Sequence, residues 1–334
     1  MSAFSFKKLV IFGVGLIGGS LARGLRERGA GAAGEQGAQG VQGEVIGVGR
    51  RAHSVARALE LGVIDAAATF DDEAALAKAL DGADLVLIAA PVAQTQMLLE
   101  RIAPHLQPQT IVTDAGSTKS DVIAAARAAL GARIGQFVPG HPIAGRESSG
   151  VEAALPDLYV GRNVVLCPLP ENAPQDVERI AQMWRATGAV IGQMSAEQHD
   201  RVFASVSHLP HVLSFALVDQ ILATPDAELK FSFAAGGFRD FTRIAASSPE
   251  MWRDVCLANR TALLAELDAY TEVLAKLRAA IDAGDGDALE TVFARSRAAR
   301  EAWQERGGVK KAHQAHQADA ADASITPSQA GPDK

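Results

Sequence analysis

The stretch Leu9-Val-Ile-Phe-Gly-Val-Gly-Leu-Ile-Gly-Gly-Ser20 decides the fold of this chain. An apolar run passes directly into Gly13, Gly15 and Gly18, which stand in the spacing GxGxxG, and a helical pattern of apolar residues follows. In such a turn the first glycine permits the tight bend, the second lets the backbone approach a pyrophosphate, and the third lets the helix pack closely on the strand. The helix N-terminus then points free N–H groups at the anion, so the stretch predicts a dinucleotide-binding Rossmann unit.

The residues that follow the second predicted strand, Val45–Val48, bear on which dinucleotide binds. A Rossmann domain that binds NAD commonly has a carboxylate there for the ribose 2′-hydroxyl. This chain instead has Arg50 and Arg51, with Ser54 nearby, and guanidinium groups suit a 2′-phosphate. NADP is therefore favoured over NAD, unless the two arginines are only solvated charges at the start of a helix. The other predicted cofactor contacts are Leu16, Ile17 and Pro91.

The pattern of apolar residues divides the chain into an α/β part and a helical part. Short Val- and Ile-rich runs alternate with alanine-rich helical stretches, as in a parallel sheet built from βαβ units. After Ser195, which forms a capping-box spacing with Gln198, the pattern is largely helical. The expected strands are Leu9–Phe12, Val45–Val48, Leu85–Ala89, Ile111–Thr113, Phe137–Val138 and Val164–Leu166. The expected domains are a doubly wound, mostly parallel Rossmann domain over 1–193, an all-α substrate and dimerisation domain over 194–306, and a disordered tail over 307–334.

Composition narrows the classes of function. A net charge of −7 disfavours nucleic-acid binding, since neutralising phosphates needs a basic face. No apolar run approaches the roughly 20 residues that span a bilayer, so we expect no membrane partner. Two isolated cysteines, Cys167 and Cys256, suit a reducing cytoplasm, and no metal site is expected, with His313 and His316 belonging to the solvated tail. The Gly- and Gln-rich stretch over 29–43 is expected to be a mobile surface loop.

Four further motifs accompany the glycine turn, and taken singly each could serve a purely structural role. They are Gly116-Ser-Thr-Lys119, His141-Pro-Ile-Ala-Gly-Arg-Glu147, Ser207-His-Leu-Pro-His211, and the pair Gly236-Gly-Phe-Arg-Asp-Phe-Thr-Arg243 and Ser248-Pro-Glu-Met-Trp252. Together with the glycine turn, the set resembles the prephenate (cyclohexadienyl) dehydrogenase family across roughly residues 7 to 306.

The resemblance implies oxidative decarboxylation of prephenate, in which C4 gives up a hydride to NAD(P) and the ring loses CO₂ to become a phenol. It implies that His141 accepts the proton of the C4 hydroxyl, because a neutral imidazole has a suitable pKa, and that Ser117 orients that hydroxyl. Both follow predicted strands at the carboxyl edge of the sheet, where such folds bind ligands. Arg243 matches the substrate-binding arginine of the family. The other implied substrate residues are His208, His211, Asp240, Trp252 and Glu147, with Asp240 and Glu147 as orienting or gating acids.

Assembly and two competing functions complete the expectations. Helices such as Trp252–Leu274 carry apolar residues at helical spacing, and the resemblance implies a twofold homodimer through this region. One alternative is a β-hydroxyacid dehydrogenase, although Lys230 lacks the motif context of that family's catalytic lysine. The other is a non-catalytic nicotinamide-binding regulator. The substrate itself stays open between prephenate and its amino counterpart arogenate.

Overall fold

A computed structural model describes residues 4–28, 43–146 and 148–305, and every structural statement refers to these residues. Most of the Gly- and Gln-rich stretch and all of the expected tail therefore lie outside the described residues. The same holds for Glu147.

The first part of the chain forms a six-stranded parallel sheet in the order β3-β2-β1-β4-β5-β6. Its strands are β1 (Lys8–Phe12), β2 (Glu44–Gly49), β3 (Ala66–Thr69), β4 (Leu85–Ile88), β5 (Ile111–Asp114) and β6 (Phe137–Val138). Its helices are α1 (Leu16–Arg28), α2 (Ala52–Glu60), α3 (Glu73–Leu80), α4 (Thr95–Ile102), α5 (Ser120–Leu130) and α6 (Pro174–Ala186).

Alternate residues of β1 explain why helices cover both faces of this sheet. Leu9 and Ile11 belong to one apolar cluster, which takes in α1 and α6. Val10 and Phe12 belong to another, which takes in α3, α4 and α5. Because both faces are buried, the strands appear in sequence as continuous apolar runs. The doubly wound Rossmann fold expected from the glycine turn is confirmed.

A second, three-stranded sheet lies beside the first, and the sequence did not predict it. It consists of β7 (Gly140–Pro142), β8 (Asn163–Leu166) and β9 (Val190–Gln193). β7 is antiparallel to β8, and β8 is parallel to β9. The prediction that Val164–Leu166 belongs to the parallel sheet is therefore wrong, and β3, β7 and β9 were missed.

The remainder is helical, as expected. The helices are α7 (Ala196–Phe203), α8 (Leu209–Leu222), α9 (Ala227–Ser232), α10 (Gly236–Thr242), α11 (Pro249–Ala258), α12 (Arg260–Asp282) and α13 (Gly286–Glu305), and a π-helical turn, Ala204–His208, joins α7 to α8. Ser195 caps α7, and its Oγ accepts the Gln198 N–H at 3.2 Å, as the capping-box spacing predicts. The continuous helix expected over Trp252–Leu274 is in fact two helices, separated at Asn259.

Contacts along the chain divide it into two compact units, Met1–Ala269 and Tyr270–Lys334. The first unit holds both sheets and every helix up to α11. The residues of the candidate site all belong to this first unit. The expected domain boundary between 193 and 194 stays a prediction.

One helical run, Ala196–Leu222, is long and apolar enough to cross a membrane by length and composition alone. The expectation that no segment meets this criterion was therefore too strict. The same run carries His199, Asp200 and His208, all of which are buried in the structure. These polar side chains belong to the candidate active site.

Candidate active site

Two adjoining cavities lie at the carboxyl ends of the parallel strands, and the larger has a volume of about 1030 Å³ while the smaller has about 510 Å³. Ala89, Ala90 and Pro91, which follow β4, line both. Sequence-predicted residues around the larger cavity are Leu16, Ile17, Pro91, Ser117, His141, His211, Arg243 and Trp252. Those around the smaller are Gly13, Gly15, Arg50, Arg51, Ser54 and Pro91.

The glycine turn fits a dinucleotide. Gly13 has a φ of +96°, and a Cβ there would lie 2.5 Å from the Ala89 carbonyl oxygen. A Cβ on Gly18 would lie 2.4 Å from the Gly13 carbonyl oxygen, so the start of α1 packs too closely on the turn for any side chain. Gly15 differs, because a Cβ there would meet no atom within 4 Å, which leaves open space above the turn. That space, at the N-terminus of α1, suits a pyrophosphate.

The smaller cavity presents basic groups where the adenosine ribose of a dinucleotide would lie. Arg50 and Arg51 directly follow β2, and both are exposed. Ser54 also lines this cavity, and its Oγ lies 3.3 Å from Nε2 of His53, a further lining residue that sequence reasoning missed. Glu152 lies on the same wall, where Arg57 pairs with it at 3.3 Å.

His141 lies on β7, with 9% of its surface exposed. Its Nδ1 lies 2.8 Å from Nε2 of His199, whose own Nδ1 lies 2.9 Å from Oδ1 of Asp200. A carboxylate only accepts hydrogen bonds, so His199 donates from Nδ1 and accepts at Nε2. His141 must then donate from Nδ1, which leaves Nε2 of His141 as the unprotonated nitrogen. The chain of contacts thus fixes the tautomer that a general base needs.

Asp200 is held in its charged form. Its Oδ1 also accepts the Lys119 N–H at 2.9 Å, and its Oδ2 accepts the Ser120 N–H at 2.8 Å, both at the start of α5. Burial would raise the pKa of Asp200, but the hydrogen bonds from His199, Ser120 and Lys119 lower it to about 2. Asp200 therefore keeps a negative charge beside His199 and joins α7 to the start of α5.

The histidines of the site are neutral at pH 7. Burial lowers the pKa of His141 well below its usual value, and electrostatic interactions with His199, Lys119 and His208 lower it further. Burial also lowers the pKa of His199, against the opposing effect of Asp200. A neutral imidazole is the form that accepts a proton.

His208 lies behind the cavity wall, 1% exposed, instead of lining the cavity. Nδ2 of Asn259 donates to the Asp200 carbonyl oxygen at 2.8 Å, which fixes the orientation of the amide, and it lies 3.0 Å from Nδ1 of His208. His208 therefore accepts at Nδ1 and carries its proton on Nε2. Burial lowers the pKa of His208 to about 4, with a further contribution from His199.

Two stacked aromatic rings, called here the aromatic wall, line part of the larger cavity. The His211 and Trp252 rings are stacked, with centroids 3.6 Å apart and planes at 20°. Nδ1 of His211 donates to the Ser207 carbonyl oxygen at 2.8 Å, so its Nε2 is free to accept. Arg243, in the turn after α10, lines the same cavity, and its charge contributes to lowering the pKa of His211, after burial. The cavity thus offers a flat aromatic surface beside a guanidinium.

Among the described residues, the expected substrate residue Asp240 is not brought to this cavity. The side chain of Asp240 is 81% exposed and lies 3.9 Å from Arg239, its neighbour in sequence. Glu147 lies outside the described residues. Around His141, the residues that sequence reasoning missed are His199, Asp200 and Asn259. A signal existed for His199, which lies four residues before the buried Phe203 and therefore on the same face of α7.

Comparisons with known proteins identify the family of the chain. A model of the prephenate dehydrogenase nucleotide-binding domain matches residues 32–193, and one of the prephenate dehydrogenase dimerization domain matches residues 195–295. The chain is 36% identical over 287 residues to a prephenate dehydrogenase of Bacillus subtilis (strain 168), covering 85% of this chain and 73% of that protein. It is 37% identical over 299 residues to a cyclohexadienyl dehydrogenase of Zymomonas mobilis, covering 89% and 96% respectively.

A solved structure is also similar throughout. It is the prephenate dehydrogenase from A. aeolicus in complex with hydroxyphenyl propionate and NAD+, with a TM-score of 0.78 and 34% sequence identity. The similarity covers 90% of this chain and 99% of that one. Both the Rossmann part and the helical part of the present chain are therefore included.

Proposed function

Because the chain belongs to the prephenate dehydrogenase family, we propose that it oxidises prephenate to 4-hydroxyphenylpyruvate, with release of CO₂ and reduction of a nicotinamide dinucleotide. The observation that carries the proposal is the neutral, tautomer-fixed His141 on the wall of the larger cavity. The reaction needs a base for the C4 hydroxyl, and Nε2 of His141 is an unprotonated imidazole nitrogen.

Different residues of this chain serve different steps of the reaction. A bound oxidised nicotinamide would supply the acceptor for the hydride of C4. His141 accepts the hydroxyl proton as that hydride leaves, and returns it to the phenol oxygen once loss of CO₂ has made the ring aromatic. Ser117, which lines the same cavity, orients the hydroxyl toward His141. Asp200 stabilises the protonated histidine pair through His199.

Arg243 and the aromatic wall hold the substrate. Prephenate is a dianion, and the Arg243 guanidinium can bind one carboxylate through two parallel hydrogen bonds. The stacked His211 and Trp252 present a flat surface against which the ring can pack.

The turn at Gly13 and Gly15 would hold the pyrophosphate, while Gly18 lets α1 pack closely on that turn. We propose that NADP is used more efficiently than NAD. Arg50, Arg51 and Ser54 line the smaller cavity. No carboxylate directly follows β2, where one could accept a hydrogen bond from a ribose 2′-hydroxyl. An Arg50→Ala, Arg51→Ala double variant is expected to lose about ten- to a hundredfold in kcat/KM with NADP, as for charge-assisted hydrogen bonds, with NAD activity hardly changed. Titration of NADPH fluorescence gives the binding constant independently of catalysis. A wild-type protein that strongly favours NAD would contradict the proposal.

Absorbance at 340 nm with prephenate tests the main proposal directly. The His141→Asn variant is expected to keep its fold and its cofactor affinity while turnover falls by about a hundredfold or more, the usual effect of losing general-base catalysis. Near-wild-type turnover would remove His141 from the mechanism. A wild-type protein that binds NADPH but does not oxidise either ring substrate would favour a regulatory function.

A second substrate is the amino counterpart, arogenate, because one of the most similar relatives is a cyclohexadienyl dehydrogenase. The two substrates differ only in a keto or an amino group on the side chain. Steady-state kinetics with each substrate and each cofactor would establish the preference.

We also propose a twofold homodimer formed through the helical part. The matching family model is of a dimerization domain. Large apolar side chains there are exposed in the single chain, including Val206 (66%), Leu222 (59%), Phe233 (81%) and Leu257 (67%). Exposed apolar surface of this kind favours burial against a second copy.

A further inference from the structure

A fully buried ion pair lies directly behind the proposed base, and no step of the proposed reaction uses it. Lys119 is 0% exposed and Asp114, at the end of β5, is 1% exposed. Nζ of Lys119 contacts Oδ2 of Asp114. Such a pair contributes little net stability, because desolvation of the two charges offsets their attraction. Its contacts with the strand that carries His141 point to a different role.

The pair holds both backbone polar groups of Gly140, the residue before His141. Nζ of Lys119 donates to the Gly140 carbonyl oxygen at 2.8 Å, and the Gly140 N–H donates to Oδ1 of Asp114 at 3.0 Å. β7 is an edge strand of its sheet, paired only with β8 among the described strands. The ion pair therefore satisfies polar groups on the open side of β7 and joins it to β5 of the large sheet.

Lys119 is also connected to the imidazole of His141 through a chain of hydrogen bonds that starts at the Lys119 backbone. Its backbone N–H donates to Asp200, which holds His199, which in turn holds Nδ1 of His141. The Lys119 side chain thus holds Gly140, the residue before His141, and the Lys119 backbone holds the His141 ring through Asp200 and His199. Together these contacts restrain both the position and the rotation of one side chain.

We propose that the Lys119–Asp114 pair is a positioning clamp for His141, the general base of the proposed function on which this inference rests. The pair holds β7, and with it the imidazole, at the cavity wall. Lys119 is a positioning residue, since it lies behind the strand and does not line either cavity.

The charge of Lys119 adds a second, measurable effect. It faces His141 together with His199 and His208, while Asp114 and Asp200 supply the nearby negative charge. The positive charge of Lys119 is among the causes that hold the pKa of His141 below its usual value, after burial and His199. Removing that charge makes protonation of His141 easier, so its pKa should rise.

Two variants separate the effect of the hydrogen bond from Lys119 to the Gly140 carbonyl from the effect of the Lys119 charge. Lys119→Met loses both, whereas Lys119→Gln loses the charge and retains a side-chain donor for the Gly140 carbonyl. We expect Lys119→Met to lower kcat by about ten- to a hundredfold, as misplacement of a catalytic group does, with KM for prephenate and the dissociation constant for NADPH changed less than about twofold. Lys119→Gln should lose less in kcat. In both, the acid limb of the kcat/KM profile should move to higher pH.

Lys230→Met is the matched control, because it removes a lysine from an exposed ion pair with Asp226 (2.9 Å) on a different helix. It should leave kcat and the pH profile unchanged. An unchanged kcat in Lys119→Met would overturn the clamp. So would losses of NADPH binding and activity in the same proportion in both Lys119 variants, because the pair would then serve only the fold.

A titration that needs no activity keeps this test separate from the proposed function. Proteins labelled at the histidine rings, with His141→Asn used for assignment, report the pKa of His141 by NMR. A higher value in Lys119→Gln than in wild type supports the clamp's electrostatic part even if prephenate proves not to be the substrate, and an unchanged or lower value overturns that part.

Discussion

His199→Phe tests whether the histidine pair sets the tautomer of the base. Phenylalanine keeps a ring of similar size beside Phe203, whose centroid lies 4.5 Å from that of His199, but it offers no acceptor to Nδ1 of His141. In wild type that N–H donates to His199 at 2.8 Å inside a buried contact. In the variant the Nδ1–H of His141 would have no acceptor. His141 would therefore carry its proton on Nε2 instead, and a protonated Nε2 cannot accept the proton of the substrate.

The size of the effect follows from the energy of that unsatisfied donor. A buried N–H without an acceptor costs about 1–3 kcal/mol. At 25 °C this energy difference reduces the population of the active tautomer to roughly 0.6–16%, which corresponds to a loss of about six- to 160-fold in kcat. Binding of prephenate and NADPH should change little, because His199 does not line either cavity.

The assay combines kinetics with a direct view of the tautomer. Steady-state kcat and KM are measured on the pH plateau, and ¹⁵N chemical shifts of His141 report which ring nitrogen carries the proton. His199→Gln is the matched control, since an amide oxygen can accept from Nδ1, and it should recover part of the activity. A His199→Phe enzyme with kcat within twofold of wild type, or with His141 still protonated on Nδ1, would refute the tautomer argument.

Three further outcomes are expected. Arg243→Gln should raise KM for prephenate about tenfold or more with kcat little altered, since a charge-assisted pair with a carboxylate is lost; an unchanged KM would make Arg239 the next arginine to test. Because burial lowers the folded-state pKa of His208 to about 4 from an unfolded value near 6.5, the unfolded state binds more protons between these values, so Tm should fall as pH drops from about 6.5 toward 4. Calorimetry on His208→Gln should give a shallower fall, and an equal slope in both proteins would assign the acid sensitivity elsewhere. Light scattering should report a dimer at micromolar concentration, and a monomer would contradict the proposed assembly.

The Rossmann sheet was predictable because its strands are buried on both faces. β1 and β4 are unbroken apolar runs between turn signals, and runs this short, bounded in this way, are typical of buried parallel strands. β3 was missed because its sequence, Ala-Ala-Ala-Thr, looks helical, and only pairing with β2 makes it a strand. β7 was missed because a Gly-His-Pro tripeptide carries no strand propensity of its own.

The residues of the cavity wall were predictable where a motif named them. His141, Ser117, Arg243, His211 and Trp252 all line the larger cavity. No motif named the supporting residues, and polar neighbours such as His199 and Asp200 near the start of a helix usually face solvent. Their burial depends on α7 packing against the start of α5, a contact between distant segments that periodicity within one helix does not encode.

The π-helical turn Ala204–His208 explains why a correct prediction of the helix would still not have placed His199 and His208 in one site. His199 and His208 are nine residues apart, and on an unbroken α-helix, at about 100° per residue, they would point in opposite directions. A π-turn accommodates an extra residue and shifts the face of everything after it. In the structure Asn259 contacts both the Asp200 carbonyl and His208, so the two histidines belong to one hydrogen-bonded network. The irregular turn is therefore what allows a single helical run to supply both the partner of the base and the buried histidine behind it.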